Sequence, residues 1–360
     1  MNVVPIKSII KSLLIINLRL TPKRIANMIK IFTSMLFSRL TRRQIVWGYP
    51  LFLMVEPTNI CNLKCPMCPS GNGEMSRALG KLNFENYKRL LDDVGDRVLQ
   101  VQLWNQGEPL INKSLLDFVR YAKGKGIVTQ TSTNGHYIRT EEAAEEIVLS
   151  GLDFLIFSMD GTNQETYEKY RVGGNYQLVL DTLERIGRAK KRLVSKTPLV
   201  ELQFIVFKHN QQEMDDLIQI AGQFDVNRIS FKTAQVYSND QANVFLPERD
   251  DHKRYDYDGQ NYEMKGEIKN WCKRLWLNST VNWNGSVSPC CFDKDAEHAF
   301  ANVFTNQSSF PETWKNEKSM AFRSQVMKDR RSIEMCNNCT EGLEEPYITI
   351  VELGSSKTHT

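Results

Sequence analysis

From residue 51 onward, short apolar runs alternate with segments whose apolar residues recur at helical spacing. Residues 51–56 read as a strand. Residues 83–94, after the Gly80-Lys81 turn, put Phe84, Tyr87, Leu90, Leu91 and Val94 on one helical face. The same alternation continues through strand-like 98–104, 128–132, 154–159, 199–207 and 228–232. Between these lie helix-like 114–125, 141–149, 164–170, 177–192 and 212–224. Such alternation implies parallel strands with right-handed crossovers, in either a partial barrel or a doubly wound sheet. No internal repeat appears, and the polar stretch 238–266 reads as a linker.

The first 55 residues follow a different pattern. They mix Ile, Leu, Met and Phe with nine Lys or Arg (Lys7, Lys11, Arg19, Lys23, Arg24, Lys30, Arg39, Arg42, Arg43) and contain no acid. Nine positive charges exceed the chain's net +4, so the remainder carries −5. No run approaches the ~20 apolar residues that cross a bilayer. A basic amphipathic helix can lie on anionic lipid or on a partner. The commoner arrangement packs the apolar stripe on the body and turns the charges to water. That second arrangement is the expectation for residues 1–50; the first leaves peripheral membrane contact open on an otherwise cytoplasmic protein. Nucleic acid is not expected, because the basic bias is confined to one end without an RNA-binding motif.

A chain of 360 residues, 41% hydrophobic and 24% charged, is ordinary for one large or two smaller globular domains. Nothing resembles a cleavable signal peptide, so eight cysteines point to metal or redox chemistry rather than disulfide stapling. Cys61, Cys65 and Cys68 stand at Cys-x3-Cys-x2-Cys directly after the first strand-like run. Three thiolates on one loop can hold three irons of a cubane and leave the fourth iron open. Structural zinc is the competitor, but it takes four ligands and no His lies near this loop. Polar clusters also follow later strands: Asn105-Gln106-Gly107-Glu108-Pro109, Ser132-Thr133-Asn134-Gly135 and Ser158-Met159-Asp160-Gly161. Ligands in such folds gather beyond the carboxyl ends of strands.

These motifs, in this order, resemble the radical S-adenosylmethionine (SAM) superfamily over roughly residues 51–232. The resemblance implies a partial (β/α)6 barrel over 51–237. It also implies a 4Fe-4S cluster on Cys61, Cys65 and Cys68 whose open iron is chelated by SAM. Reductive cleavage of SAM would give a 5′-deoxyadenosyl radical, with a flavodoxin- or ferredoxin-type reductant. Gln106, Gly107, Glu108 and Pro109 match the family's Gly-Gly-Glu-Pro motif for the SAM amino group, with Gln106 in place of the first glycine. Ser132 and Asn134 match the segment near the ribose and methionine portion, and Ser158 and Asp160 a ribose- and carboxylate-facing position. Arg171 looks like the arginine that grips the SAM carboxylate in related maturases.

Cys272, Cys290, Cys291, Cys336 and Cys339 form a second set, with an Asn-Gly hairpin between Cys272 and Cys290. This resembles the C-terminal SPASM module or its shortened Twitch form, a small α+β domain expected over 267–345, with a tail at 346–360. Five cysteines are too few for a two-cluster module, so one auxiliary 4Fe-4S cluster is expected on Cys272, Cys290, Cys336 and Cys339. Zinc remains the physical alternative. Cys291 is left over, as an inert thiol, an alternative ligand or a hydrogen-atom donor. His136, His209, His252, His298 and His359 have no ligand-like spacing.

The leading expectation is an oxidoreductase that abstracts a substrate hydrogen atom and passes an electron to the auxiliary cluster. Relatives of that type oxidise aminocyclitol alcohols, so a carbohydrate or cyclitol is the expected substrate. Alternatives are an epimerase using Cys291, a peptide-modifying maturase and, outside enzymes, an iron–sulfur electron carrier.

Overall fold

A computed structural model of the chain describes residues 19–305, 308–343 and 347–353. Residues 1–18 of the expected N-terminal segment and 354–360 of the expected tail lie outside these. Six parallel strands lie side by side in chain order: β1 (Phe52–Val55), β2 (Gln100–Leu103), β3 (Val128–Thr133), β4 (Phe154–Ser158), β5 (Leu199–Val206) and β6 (Arg228–Thr233). Helices Phe84–Val94, Leu115–Gly124, Glu141–Leu149, Tyr176–Arg192 and Met214–Ala221 make the crossovers. A doubly wound sheet reverses its strand order; this one never does, which makes it an open (β/α)6 barrel. The helical periodicity is spent on burial: Tyr87, Leu90, Leu91 and Val94 face the sheet, where Leu53, Val101, Leu155, Leu202 and Phe204 form the core.

The C-terminal part is sewn onto both edges of this sheet. Strand β9 (Asn278–Val281) pairs in parallel with β1, and β10 (Val287–Ser288) returns antiparallel through the expected hairpin at Asn284-Gly285. Strand β11 (Ile348–Glu352) pairs antiparallel with β6, in a stretch that reads as tail from sequence. The stretch expected as a linker also has structure: helix Asn239–Phe245 and a hairpin of β7 (Tyr255–Tyr257) and β8 (Tyr262–Met264). Phe245 and Tyr255 pack in one cluster with Tyr170 and Phe207, burial that a polar composition conceals.

Helix Pro22–Thr41 corrects the expectation for the N-terminal segment. Its polar face is the buried one: Arg24, Asn27, Ser34 and Ser38 pack inward with Ile31. Ile25, Ile29, Phe32, Leu36, Phe37 and Leu40 are exposed, Leu40 at 71%. The reason is the floor of the barrel, where helices end. Arg24 donates to the carbonyls of Gly95 and of Lys125 and Gly126, just where helices Phe84–Val94 and Leu115–Gly124 run out of partners. Asn27 exchanges bonds with the backbone of Tyr49 and donates to the Arg97 carbonyl. Unsatisfied helix-end carbonyls attract a polar face more strongly than apolar surface does.

Candidate active site

Beyond β1, the buried carboxylate of Glu56 accepts both terminal nitrogens of Arg77 at 2.8 Å. It also accepts the backbone N–H of Gln106 at 3.3 Å and of Trp283 at 3.2 Å. One carboxylate thus ties together the start of the cysteine loop, the loop after β2 and the C-terminal hairpin. The cysteine loop closes on itself at Gly71, where a Cβ would stand 2.6 Å from the Cys65 nitrogen. Only glycine fits there.

Cys61, Cys65 and Cys68 line a cleft of about 120 Å³ together with Gly107, Glu108, Pro109, Ser132, Asn134, Ser158 and Arg171. The strand-end motifs, far apart in sequence, therefore meet at the cysteine loop. Gly107 has a φ of 77°, and a Cβ there would come within 2.6 Å of the Thr58 carbonyl oxygen. Its bareness lets the β2 loop lie on the cysteine loop, where the Glu108 N–H donates to the Ile60 carbonyl at 2.8 Å. The buried Glu108 carboxylate accepts the Asn134 N–H at 2.7 Å, the Thr133 hydroxyl at 2.9 Å and the Leu110 N–H at 3.2 Å. Burial still pushes its pKa up to about 7, against the pull of those bonds.

Two expected contacts are placed differently. Asp160 does not line the cleft: one oxygen accepts the Ile205 N–H at 2.7 Å, the other Arg171 Nε at 2.5 Å. It holds the arginine, whose Nη1 lies 3.8 Å from Cys65 Sγ. Gln106 turns its side chain towards Ser70 and Cys68 and into a larger cavity next door. Sequence reasoning missed Glu56, Arg77, Ser70, which accepts the Gly107 N–H, and Asn62, which accepts from Asn134. Glu56, a carboxylate closing an apolar strand just before the cysteines, carried the one usable signal. His136, given no role, accepts the Asn175 N–H through Nε2, with Nδ1 beside the Asn134 carbonyl, a structural duty.

In the second set the Cys339 thiol acts electrostatically on those of Cys272, Cys290, Cys291 and Cys336. Among the described residues, no three His, Cys, Asp or Glu side chains converge on a point that would grip one metal ion. A cluster asks less convergence, since separate irons meet separate thiolates. Burial pushes the Cys61 and Cys336 thiols up to about 11 and Cys272 to about 12. Such thiols stay neutral unless a bound cation compensates them, which is what metal ligation supplies. Both donor sets therefore fit iron–sulfur clusters. Between them lies a cavity of about 460 Å³, walled by Cys68 and Gln106 on one side and Cys291 and Arg274 on the other. Of the five C-terminal cysteines, only Cys291 lines it.

This geometry fits an iron–sulfur protein with a ligand cleft at the strand ends. The family comparisons agree: residues 55–221 match the radical SAM superfamily and residues 272–340 an iron–sulfur cluster-binding domain, SPASM. The chain belongs to the radical SAM superfamily and carries a C-terminal SPASM module, so its cofactors are SAM, a SAM-binding 4Fe-4S cluster and auxiliary iron–sulfur. A cofactor-modifying protein for tungsten-containing aldehyde ferredoxin oxidoreductase from Pyrococcus furiosus is 21% identical, covering 76% of this chain and 83% of that protein. The PqqA peptide cyclase of Bradyrhizobium diazoefficiens is 28% identical over 53% of this chain, which spans only about half (48%) of the cyclase. Among solved structures, BtrN in complex with AdoMet and 2-DOIA aligns with a TM-score of 0.51 at 18% identity, over 82% of this chain and 94% of BtrN. Streptococcus suis SuiB bound to its precursor peptide SuiA aligns with a TM-score of 0.59 at 15% identity, over 80% of this chain and 69% of SuiB. At these identities the structures speak for the fold alone. Among the described residues no helix is long and apolar enough to cross a membrane.

Proposed function

We propose that the protein is a SAM-dependent oxidoreductase acting on a small alcohol substrate, held in the cavity between the two cysteine sets. The observation that carries this is the cavity itself, with Cys68 in one wall and Cys291 in the other. When bound, SAM and a cluster reduced by a flavodoxin or ferredoxin would supply a hydrogen-abstracting radical. Cys61, Cys65 and Cys68 hold the first cluster. Glu108 receives the SAM ammonium as an ionised acceptor, and Arg171, fixed by Asp160, presents its fork to the carboxylate. Gly107 and Pro109 shape the backbone there, while Ser132, Asn134 and Ser158 face the ribose. Cys272, Cys290, Cys336 and Cys339 hold one auxiliary cluster. A cluster there would supply an acceptor for the second electron of an alcohol-to-carbonyl oxidation, the first leaving with the abstracted hydrogen atom and the O–H proton passing to solvent. Residues 51–237 would house the radical chemistry and 267–345 the electron acceptor.

Anaerobic, cluster-replete protein with dithionite and SAM, offered carbohydrates and cyclitols, tests this. Substrate-dependent 5′-deoxyadenosine with a matching ketone supports it; 5′-deoxyadenosine with a crosslinked leader peptide instead would make the protein a maturase. No SAM cleavage at all would leave an electron carrier. Epimerisation is the second reading, because Cys291 faces the cavity and can return a hydrogen atom. Solvent deuterium at the inverted carbon identifies that outcome.

The N-terminal helix suits a peripheral place on an anionic bilayer inside the cell. Its exposed Ile29, Phe32, Leu36 and Leu40, with Trp47 beside Phe37, are flanked by exposed Lys30, Arg39, Arg42 and Arg43 and by Lys23, which pairs with Asp96 at 3.1 Å. Full-length protein should sediment with phosphatidylglycerol vesicles and less with phosphatidylcholine, and Ile29→Glu with Leu36→Glu should release it. Self-association instead, or no vesicle binding, refutes the attachment.

A further inference from the structure

Four basic side chains, Lys232, Arg254, Arg274 and Lys294, line the cavity between the cysteine sets, and no carboxylate among the described residues joins them. Two already have partners. Arg274 donates through Nε to Glu341 at 2.6 Å, and Lys294 donates to the Tyr237 hydroxyl at 2.6 Å with its ammonium over that ring. The other two, on the β6 side, are less well served. Among the described residues Lys232 has only a neutral acceptor, the Gln203 amide oxygen at 2.6 Å. The carboxylate that acts on it, Glu201, is itself engaged by Arg228 and Ser230.

Arg254 is buried and held in place by Thr233, whose hydroxyl accepts Nε at 3.0 Å and whose carbonyl accepts Nη2 at 3.1 Å. Its Nη1 is buried with no acceptor among the described residues. A buried donor left that way carries an unrepaid desolvation cost until something supplies an oxygen. A fixed guanidinium with a free N–H beside a lysine matches the several oxygens and double charge of a phosphate ester.

We propose that the substrate carries a phosphate ester seated between Lys232 and Arg254, with Lys294 and Arg274 extending the positive wall. The assignment rests on the cavity being the substrate site. It narrows the small-alcohol class to phosphorylated ones, such as a sugar or cyclitol phosphate.

Isothermal titration of cluster-replete, SAM-loaded full-length protein tests it, with glucose 1-phosphate, inorganic phosphate, glucuronate and glucose as probes. Glucose 1-phosphate is expected to bind at least ~10-fold more tightly than glucose or glucuronate, inorganic phosphate to compete with it, and Lys232→Met or Arg254→Gln to weaken it ~10-fold or more. Iron content and thermal unfolding of both variants show that they are folded. Three results overturn the assignment: no preference for phosphate, tighter binding of glucuronate, or variants that shift the auxiliary cluster's midpoint potential while binding phosphate as before. The last would mean the cations serve the cluster. 5′-Deoxyadenosine formation in the same preparations keeps the two readings apart. SAM cleavage without phosphate binding removes this assignment alone, and phosphate binding without SAM cleavage removes the radical reading.

Discussion

The two cysteine sites are built on opposite plans. The first is one loop, Cys61 to Cys68, pinned by backbone contacts: Gly71 against Cys65, Gly107 against Thr58, the Glu108 N–H on Ile60. The second collects thiols from segments around 272, 290 and 336–339 and depends on long side chains to hold them. Buried Arg330 donates to the carbonyls of Trp271, Glu341 and Cys339, and Arg274 reaches Glu341. A site made of contiguous chain is set by local geometry. One gathered from distant segments is set by the tertiary structure, and it should yield first when that structure loosens.

The largest expected effect is at the first site. Cys65→Ser should abolish SAM cleavage and drop iron from ~8 to ~4 per chain, the remainder belonging to the second set. Loss of all iron would mean that the two sites are not independent. Next, Arg330→Met should strip three carbonyls of their partner and cost roughly 3 kcal/mol or more. In thermal unfolding with iron analysis, the second site should empty first while SAM cleavage persists; simultaneous loss of both clusters breaks the comparison.

A smaller effect concerns pH. With its pKa raised to about 7, Glu108 favours the folded apo protein below about 4.5, and that contribution is lost as pH rises through 7. The SAM ammonium prefers the ionised form, so SAM affinity should fall about tenfold per pH unit below 7, a slope Glu108→Gln should flatten. Titrations between pH 5 and 8 read this directly, and a slope that survives in the variant assigns the proton elsewhere. The smallest effect should come from Cys291→Ser, which should leave iron content unchanged where Cys290→Ser lowers it from ~8 to ~4. The reverse pattern would exchange the two neighbours' roles.

The contrast between contiguous and gathered sites also explains what the sequence disclosed. The barrel was legible because each element announces its own period: 141–149 and 164–170 come out with the bounds read from sequence. The first cysteine site was legible because its three cysteines, which line one cleft, share one short motif. Gln106 and Asp160 were misplaced because a motif names a position, not the direction a side chain takes. The basic cavity wall was illegible: Lys232, Arg254, Arg274 and Lys294 belong to no common motif and meet only in the fold. Helix Pro22–Thr41 showed its two faces, but periodicity does not say which faces inward. The helix-end carbonyls that settled the matter lie some 70 to 100 residues away, at Gly95 and Gly126.

Strands β9 and β11 give the molecule an unusual order of birth. Both edges of the parallel sheet, at β1 and at β6, are closed by chain that leaves the ribosome after the six barrel strands have emerged. Until then the nascent barrel carries two open flanks, the templates on which neighbouring chains pair wrongly. The chain beyond the barrel, module and tail together, therefore covers those two flanks last.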